Sequence, residues 1–459
     1  MRSAVLAWFR RDLRLGDNPA WADATSSADA VAALVVVEPP LLAAAGRWRR
    51  QAYLAALDGL DQSLRESGAA LWVAVGDPAE VVPRVAEQIG AARVVVNADV
   101  TRWSTARDRK VSQALAVPMV GHWGTVVHPP GSVLTTAKTL SRVFTPFYKR
   151  WVQATLPPAA YSGSAKILDP PQEFTIAATL KDLTSDSWNE RQALDQVTGW
   201  LNRVNTYHDR RDQFAEAGTS RLSVALHFGL VSPRYLAEVL DTENDGGASF
   251  VRQLAWRDWY THLTAEHPDI DRVSLRPQFE RIEWTSGPEA EARFCAWRDG
   301  MTGYPIVDCA MRELAATGWM HNRLRMIAAS FLVKDLLVDW RWGERWFRRM
   351  LADGDLAQNA GNWQWVAGTG PDAAPYFRIF NPVVQSRRFD PQGNHLRRWL
   401  PELTRLTDHD IHAPWQATPL DLAAAGVTLD CEYPSPIVDH AEARKQTIAA
   451  YQQAISQTR

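Results

Sequence analysis

The first 125 residues alternate short Val-rich apolar runs with stretches of helical spacing, and no other feature limits the fold as tightly. The runs lie at 4–9, 32–37, 71–75 and 93–97, with helical patterns over 47–68, 78–90 and 103–116 between them. A continuous apolar run bounded by turn residues is the mark of a strand buried on both faces. Parallel strands of that kind need crossover helices, so the alternation predicts a doubly wound α/β domain. No GxGxxG follows the first run, which argues against a nicotinamide-dinucleotide site. The crevice at the strand C-termini, near Arg10–Asp12, Glu38 and Asp99, is the place left for a ligand.

Beyond Pro129 the pattern weakens, and Pro-rich pairs at 129–131, 157–158 and 170–171 punctuate a long connector that ends near 185. From Trp188 onward no strand-like alternation is found. Helical spacing covers 189–204, 232–241, 248–266, 289–298, 306–316, 321–339 and 343–352, then irregular connections over 366–395 and a short helix at 439–456. The expected division is an α/β domain over 1–128, a connector over 129–187 and an all-α domain over 188–459. A length of 459 residues suits two or three domains.

With 46% hydrophobic and 22% charged residues the chain is neither disordered nor collagenous. A formal charge of −2 gives no global field for nucleic acid. Charge is local instead: residues 321–350 hold seven Lys and Arg against three Asp and Glu, and Arg378, Arg387, Arg388, Arg397 and Arg398 cluster further on. The three cysteines show neither a disulfide framework nor zinc-ligand spacing. The apolar part of MRSAVLAWFRRDLRL is too short for a signal peptide, and no stretch reaches membrane-spanning length. A cytoplasmic monomer without membrane contact is expected.

Trp is over-used, at 21 residues against 14 Phe and 10 Tyr, and ten of the 21 fall between Trp256 and Trp365. Packing accounts for most of them. The sharper reading is a surface on which bases stack or a relay for electrons.

Three stretches carry candidate chemistry. Gly218-Thr219-Ser220-Arg221-Leu222-Ser223 precedes an apolar helical stretch, where hydroxyls and free N–H groups suit either an N-cap or a phosphate. In His321–Met326 the i,i+3 and i,i+4 spacings put Asn322, Arg323 and Met326 on one face, which offers a base edge an amide and an apolar contact, though core packing is the usual role. Asp353, Asp355 and Asn359 bring short polar groups into an apolar neighbourhood, where they need partners such as Arg325 or the polar edge of a cofactor.

These stretches, together with WFRRDLRLGDNPA, FTPFYKRW at 144–151, RQLAWRDWY at 252–260 and the long segments 302–344 and 353–390, resemble the photolyase/cryptochrome flavoproteins over essentially the whole chain. The likeness is greatest to the class I cyclobutane pyrimidine dimer photolyases. It implies light-driven repair of UV-damaged DNA, with FAD held in the helical domain. Tyr207, Thr219, Ser220, Arg221, Leu222 and Ser223 would surround the phosphates and ribityl chain. Arg325, Asp353, Gly354, Asp355 and Asn359 would line the isoalloxazine, with Asn359 facing N5. Trp256 and Trp365 would wall a flipped lesion. Gln253, Asn322, Arg323 and Met326 would touch its bases, and Arg211 and Arg378 nearby phosphates. Trp363, Trp340 and Trp284 would conduct electrons, with Trp297 as an alternative for part of that role.

Two departures from the family pattern stand out. Gln253 replaces the Glu usual in cyclobutane dimer enzymes, as in (6-4) photolyases and DASH-type cryptochromes, which supplies the alternative readings of a (6-4) enzyme or a photoreceptor. Asn322 and Met326 stand where (6-4) enzymes place two His, and the chain ends at Arg459 without the long tail of a signalling cryptochrome. The second departure is Val100-Thr101-Arg102-Trp103 after Asn97-x-Asp99. An antenna there, 8-hydroxydeazaflavin or methenyltetrahydrofolate, is left open.

Overall fold

The computed structural model describes residues 4–176, 180, 187–373 and 375–457, so 177–179 and 181–186 of the expected connector lie outside the described residues. Two compact units are formed. One runs to His208 and takes in Ser220–Pro268; the other joins Asp209–Thr219 to the chain from Asp269 onward.

In the first unit β1 (Ala4–Phe9), β2 (Ala30–Val37), β3 (Trp72–Val75), β4 (Ala91–Asn97) and β5 (Met119–His122) form a parallel sheet in the order β3-β2-β1-β4-β5. Ala4 stands opposite Ala30 and Phe9 opposite Val35. All of β1 and nearly all of β2 are buried, which is why neither alternates in sequence. The helices Arg47–Glu66, Pro78–Gln88 and Arg102–Ala114 cross between strands as expected. Two strands escape the sequence reading. β5 is an edge strand interrupted by Gly121, and β6 (Lys166–Ile167) pairs beside the start of β2 from inside the Pro-rich connector. Neither carries a Val run.

The chain leaves β1 on one side for β2 and β3 and returns on the other for β4 and β5. This reversal opens a crevice between the C-terminal ends of β1 and β4. The connector is more ordered than its sequence suggests, for it contains the helix Phe144–Gln153. It is pinned by Asp258, a buried carboxylate of the helix Asp245–Glu266. Asp258 accepts from the Val127 and His128 N–H groups and from Trp151 Nε1, at 2.9–3.2 Å. Three donors on one carboxylate explain how so acidic a group can be fully buried.

The second unit is helical around one large apolar core. Two expectations are corrected. The helix expected over 321–339 is α-helical only from Asn322 to Ser330 and continues as a single π turn, Phe331–Asp335. The stretch 366–395, expected to be irregular, contains the helix Pro382–Phe389, which starts at Pro382 behind an Asn381 cap. The helix Leu356–Ala367 carries the polar 353–365 motif. Asp355 caps its N-terminus on the Gln358 N–H, and Gly368 at φ 83° ends it in the left-handed conformation. No described helix is long and apolar enough to cross a membrane.

Candidate active site

The Gly218-to-Ser223 stretch leads into a helix of only five residues, Ser223–His227. The N-cap falls on Leu222 and no side chain caps it, so the cap reading of this stretch does not hold. The Ser220 hydroxyl instead accepts from the Leu222 N–H at 3.2 Å, while Gln196 holds the Ser220 carbonyl at 3.0 Å. Arg221 sits at φ 55°, a conformation a long side chain seldom adopts outside a constrained site. Tyr207 is buried edge-on against Trp200 and Phe250. Thr219 closes the short segment of the second unit that precedes this loop.

In the second unit Arg325 and Asp353 form the pair the sequence suggests. It is bidentate, with Nη1 and Nη2 at 3.1 and 2.9 Å from the two carboxylate oxygens, and Arg325 Nε donates to the Met320 carbonyl. Such a fork fixes both side chains. Gly354 links Asp353 to Asp355, whose side chain is the helix cap described above. One turn later Asn359 is held by a residue the sequence reading missed. Its Nδ2 donates to the Glu344 backbone carbonyl at 2.8 Å and to Glu344 Oε1 at 2.9 Å. With the NH₂ group committed to two acceptors, the Asn359 carbonyl oxygen points the other way. Glu344 is wholly buried, and burial pushes its pKa up to about 7, against the opposing pull of Arg348 and the Asn359 hydrogen bond. The one sequence signal for Glu344 was an acidic residue four before Arg348 on a Trp-lined helix.

Trp363 and Trp340 are buried and Trp284 is half-buried. The Trp363 ring lies on the backbone of Gly343, one turn along from Trp340. A Cβ at Gly343 would stand 2.1 Å from Cη2 of Trp363. Trp284 meets Tyr451 edge-on at 6.1 Å. Trp297 is fully buried and meets Trp363 at 6.2 Å.

Of the residues expected at the lesion, Trp256 is half-buried with one face stacked on Phe144 at 3.6 Å, and Gln253 lies one turn before it with only a long 3.5 Å bond to the Ser249 carbonyl. In the second unit exposed Asn322 touches Met326, Nδ2 to Sδ 3.7 Å, as the i,i+4 spacing requires. Arg323 leaves that group: it pairs with Asp212 at 2.7 Å and lies over the Phe389 ring. Trp365 is half-buried, Arg211 half-buried in a turn, and Arg378 exposed. His321, also unforeseen, caps the Asn322–Ser330 helix through Nδ1, and burial lowers its pKa to about 4.

The crevice at the strand ends is occupied by the chain's own charges. Arg10 pairs with Asp108 and reaches the Asn97 carbonyl across the gap between β1 and β4. Arg107 binds Glu38 at 2.7 Å, and Trp103 Nε1 binds the other Glu38 oxygen at 3.1 Å. Asp99 spends both carboxylate oxygens inside the protein, on Arg11, on the Val100 and Thr101 N–H groups and on Ser104. Asp99 is thus tied to the loop that follows β4 and to Arg11.

Within the second unit, a bidentate Arg–Asp fork and an amide held by a buried carboxyl form a set of oriented polar groups. A parallel α/β sheet in one unit and helices rich in buried Trp in the other give the two-part architecture of an α/β-plus-helical protein. Comparison with known proteins agrees. Residues 5–164 match the family model for DNA photolyase, and residues 250–453 match the FAD binding domain of DNA photolyase. The deoxyribodipyrimidine photo-lyase of Escherichia coli K12 is 42% identical over 98% of both chains. The crystal structure of a bacterial class III photolyase from Agrobacterium tumefaciens is similar at TM-score 0.89 and 34% identity, covering 99% of this chain and 98% of that one. A Synechocystis cryptochrome follows at TM-score 0.87 and 30% identity, covering 98% and 99%. The chain belongs to the DNA photolyase family.

Proposed function

We propose that this protein is a light-driven lyase that opens cyclobutane pyrimidine dimers in DNA, acting as a monomer in the cytoplasm. The observation that carries the proposal is full-length similarity to a deoxyribodipyrimidine photo-lyase, supported by an oriented Asn359 within the FAD-binding match. Bound and fully reduced, FAD supplies the light-excited electron that splits the dimer and then returns.

The protein holds, orients and excludes water. Tyr207, Thr219 and Ser220–Ser223 hold the phosphates and ribityl chain. Arg325 and Asp353 fix the ring position through their fork, Gly354 lets the backbone pass close to it, and Asp355 sets the pitch of the helix that presents Asn359. Asn359 would offer its carbonyl oxygen to the flavin ring, because Glu344 holds its NH₂ group. Trp256 and Trp365 take the flipped bases, and stacking worth roughly 1–3 kcal/mol per base helps offset extrusion. Gln253, Asn322 and Met326 meet base edges. Arg323 serves through its ion pair, and Arg211 and Arg378 meet phosphate. Trp363, Trp340 and Trp284 would serve as the electron relay to FAD when it is bound oxidised. On this reading the α/β domain spans 1–128, the connector 129–187 and the FAD- and DNA-binding domain 188–459.

Gln253 favours a second reading, a (6-4) enzyme or a cryptochrome-type photoreceptor. One experiment separates them. Chemically reduced holoprotein is illuminated with blue light on an oligonucleotide carrying either one thymine dimer or one (6-4) photoproduct. Restored thymines from the dimer alone are expected; repair of the (6-4) product alone, or of neither, would replace the proposal with the second reading.

A further inference from the structure

Lys334 lies in the π turn Phe331–Asp335 and is wholly buried. Turns of this kind interrupt an α-helix mostly at functional sites. No carboxylate meets the ammonium among the described residues. Neutral groups answer it instead. It donates to the Ala367 carbonyl at 2.8 Å and to the Tyr376 carbonyl at 3.4 Å, and it lies 3.8 Å from the centre of the Tyr451 ring. Burial opposes its charge and pushes its pKa well below the ordinary lysine range. An ammonium placed at such cost is worth tracing to what its contacts join.

Ala367 is the last residue of the helix Leu356–Ala367, two beyond Trp365. Its carbonyl takes a second donor, Tyr451 Oη, at 2.6 Å. Both lone pairs of a helix-end carbonyl are thus used, and a cation sits where the helix dipole is negative. Tyr376 lies in the tight turn that carries Arg378, closed by the Arg378 N–H on the Pro375 carbonyl at 2.8 Å. Within that turn Pro375, Phe377 and Arg378 are exposed, which leaves the Tyr376 ring and carbonyl to tie it to the core. The Tyr376 ring lies parallel to Tyr451, with centres 5.8 Å and planes 9° apart. Tyr451 belongs to the helix His440–Ser456, and one turn earlier Thr447 donates to the carbonyl of Lys334 itself at 2.5 Å.

We propose that Lys334 is a positioning residue for DNA: with Tyr451 it fixes the Tyr376–Arg378 turn against the end of the Leu356–Ala367 helix. It thereby sets the distance from the Trp365 wall to the phosphate that Arg378 meets. The inference rests on the proposed reading of Trp365 and Arg378 as DNA contacts. One ammonium bridges the Ala367 and Tyr376 carbonyls, and a side chain that merely filled its space would leave them unlinked and the turn free to drift. An arginine held at one distance loses less freedom on binding than one on a mobile turn. Lys334 therefore contributes affinity and leaves the electron-transfer step alone.

The test is a double-mutant cycle on chemically reduced holoprotein, with Kd measured in the dark on a duplex carrying one thymine dimer. Lys334→Met keeps most of the side chain's length, removes its donors and takes a charge out of the core, so the protein should still fold. It should bind roughly three- to tenfold more weakly, and the slope of log Kd on log salt should shrink by up to about one, the share of a single phosphate contact. At saturating duplex the dimers opened per absorbed photon should not change. In an Arg378→Ala background the same substitution should alter Kd by less than about twofold, because the contact it positions is already gone. Tyr451→Phe keeps the ring beneath Lys334 and loses only the bond to Ala367, so it should show the same pattern at smaller size. Should Lys334→Met fail to fold, Tyr451→Phe decides the matter. Two results would overturn the proposal: full affinity in these variants, or an equal loss with and without Arg378, the mark of a structural role alone. A duplex that the unaltered protein binds but does not repair in blue light would count against the proposed function and not against the positioning.

Discussion

The strand-end crevice and the helix Trp340–Met350 both bury charge, and they settle it in opposite ways. In the crevice, burial opposes the charge on Arg107, yet Asp108 and Glu38 outweigh it and raise the arginine's pKa. Along the helix, burial wins: Arg348 and Asn359 only partly compensate Glu344, which is left poised near neutrality. A cluster in which each charge is answered is a fixed brace between β1, β4 and the helix Arg102–Ala114. A carboxyl that is half answered, beside an amide turned outward, is adjustable. The second arrangement is the one suited to a cofactor that changes charge.

The comparison breaks most readily at Asp108. Asp108→Ala takes from Arg10 its ion pair in a nearly buried site and leaves Arg107 with Glu38 alone, and leaving a buried charge unpaired costs about 3–5 kcal/mol. The urea midpoint should fall accordingly while repair per bound FAD holds; a loss of photochemistry with unchanged stability would erase the distinction between the regions.

Next in size is the pH dependence set by Glu344. Its folded pKa lies above its unfolded one, so the native state binds the extra proton. Stability from this group is full below about pH 4.5 and falls as pH rises, levelling off above about 7, by roughly 3 kcal/mol in all. Glu344→Gln should flatten that slope in urea melts between pH 5 and 8. An identical slope would mean that the carboxyl is not the source.

Gly343→Ala is expected to cost about 1–3 kcal/mol, since the new methyl would overlap Trp363 and stand 2.6 Å from Cδ2 of Leu332. Light-driven flavin reduction should slow as well, because the Trp363 ring must shift. The smallest effect belongs to Asp355→Ala, which removes the cap of the Leu356–Ala367 helix for about 1 kcal/mol, read as a lower melting temperature.

Much of this is legible in the amino-acid sequence. The four Val-rich strands are, because burial on both faces writes itself as an uninterrupted apolar run. β5 and β6 are not, since a short edge strand is stabilised by its neighbour and not by its own composition. At the site, Arg325 and Asp353 could be paired from charge and context alone. Arg323 could not be placed: helical spacing put it with Asn322 and Met326, whereas Asp212 and the Phe389 ring draw its long side chain elsewhere. Glu344 was missed because its partner Asn359 lies fifteen residues away on another helix.

The sequence by itself determined the α/β and helical halves, the family and the residue types of the site proposed for the flavin, for these follow from local periodicity and contiguous motifs. Only the tertiary structure decided that Asp99 and Glu38 are spent on the protein's own arginines, that Asn359 is turned by Glu344, and which of the many Trp rings touch. The reason is physical: ion pairs, amide orientation and ring contacts depend on side chains from distant segments meeting within a few ångströms, and that distance is fixed by how helices and strands pack.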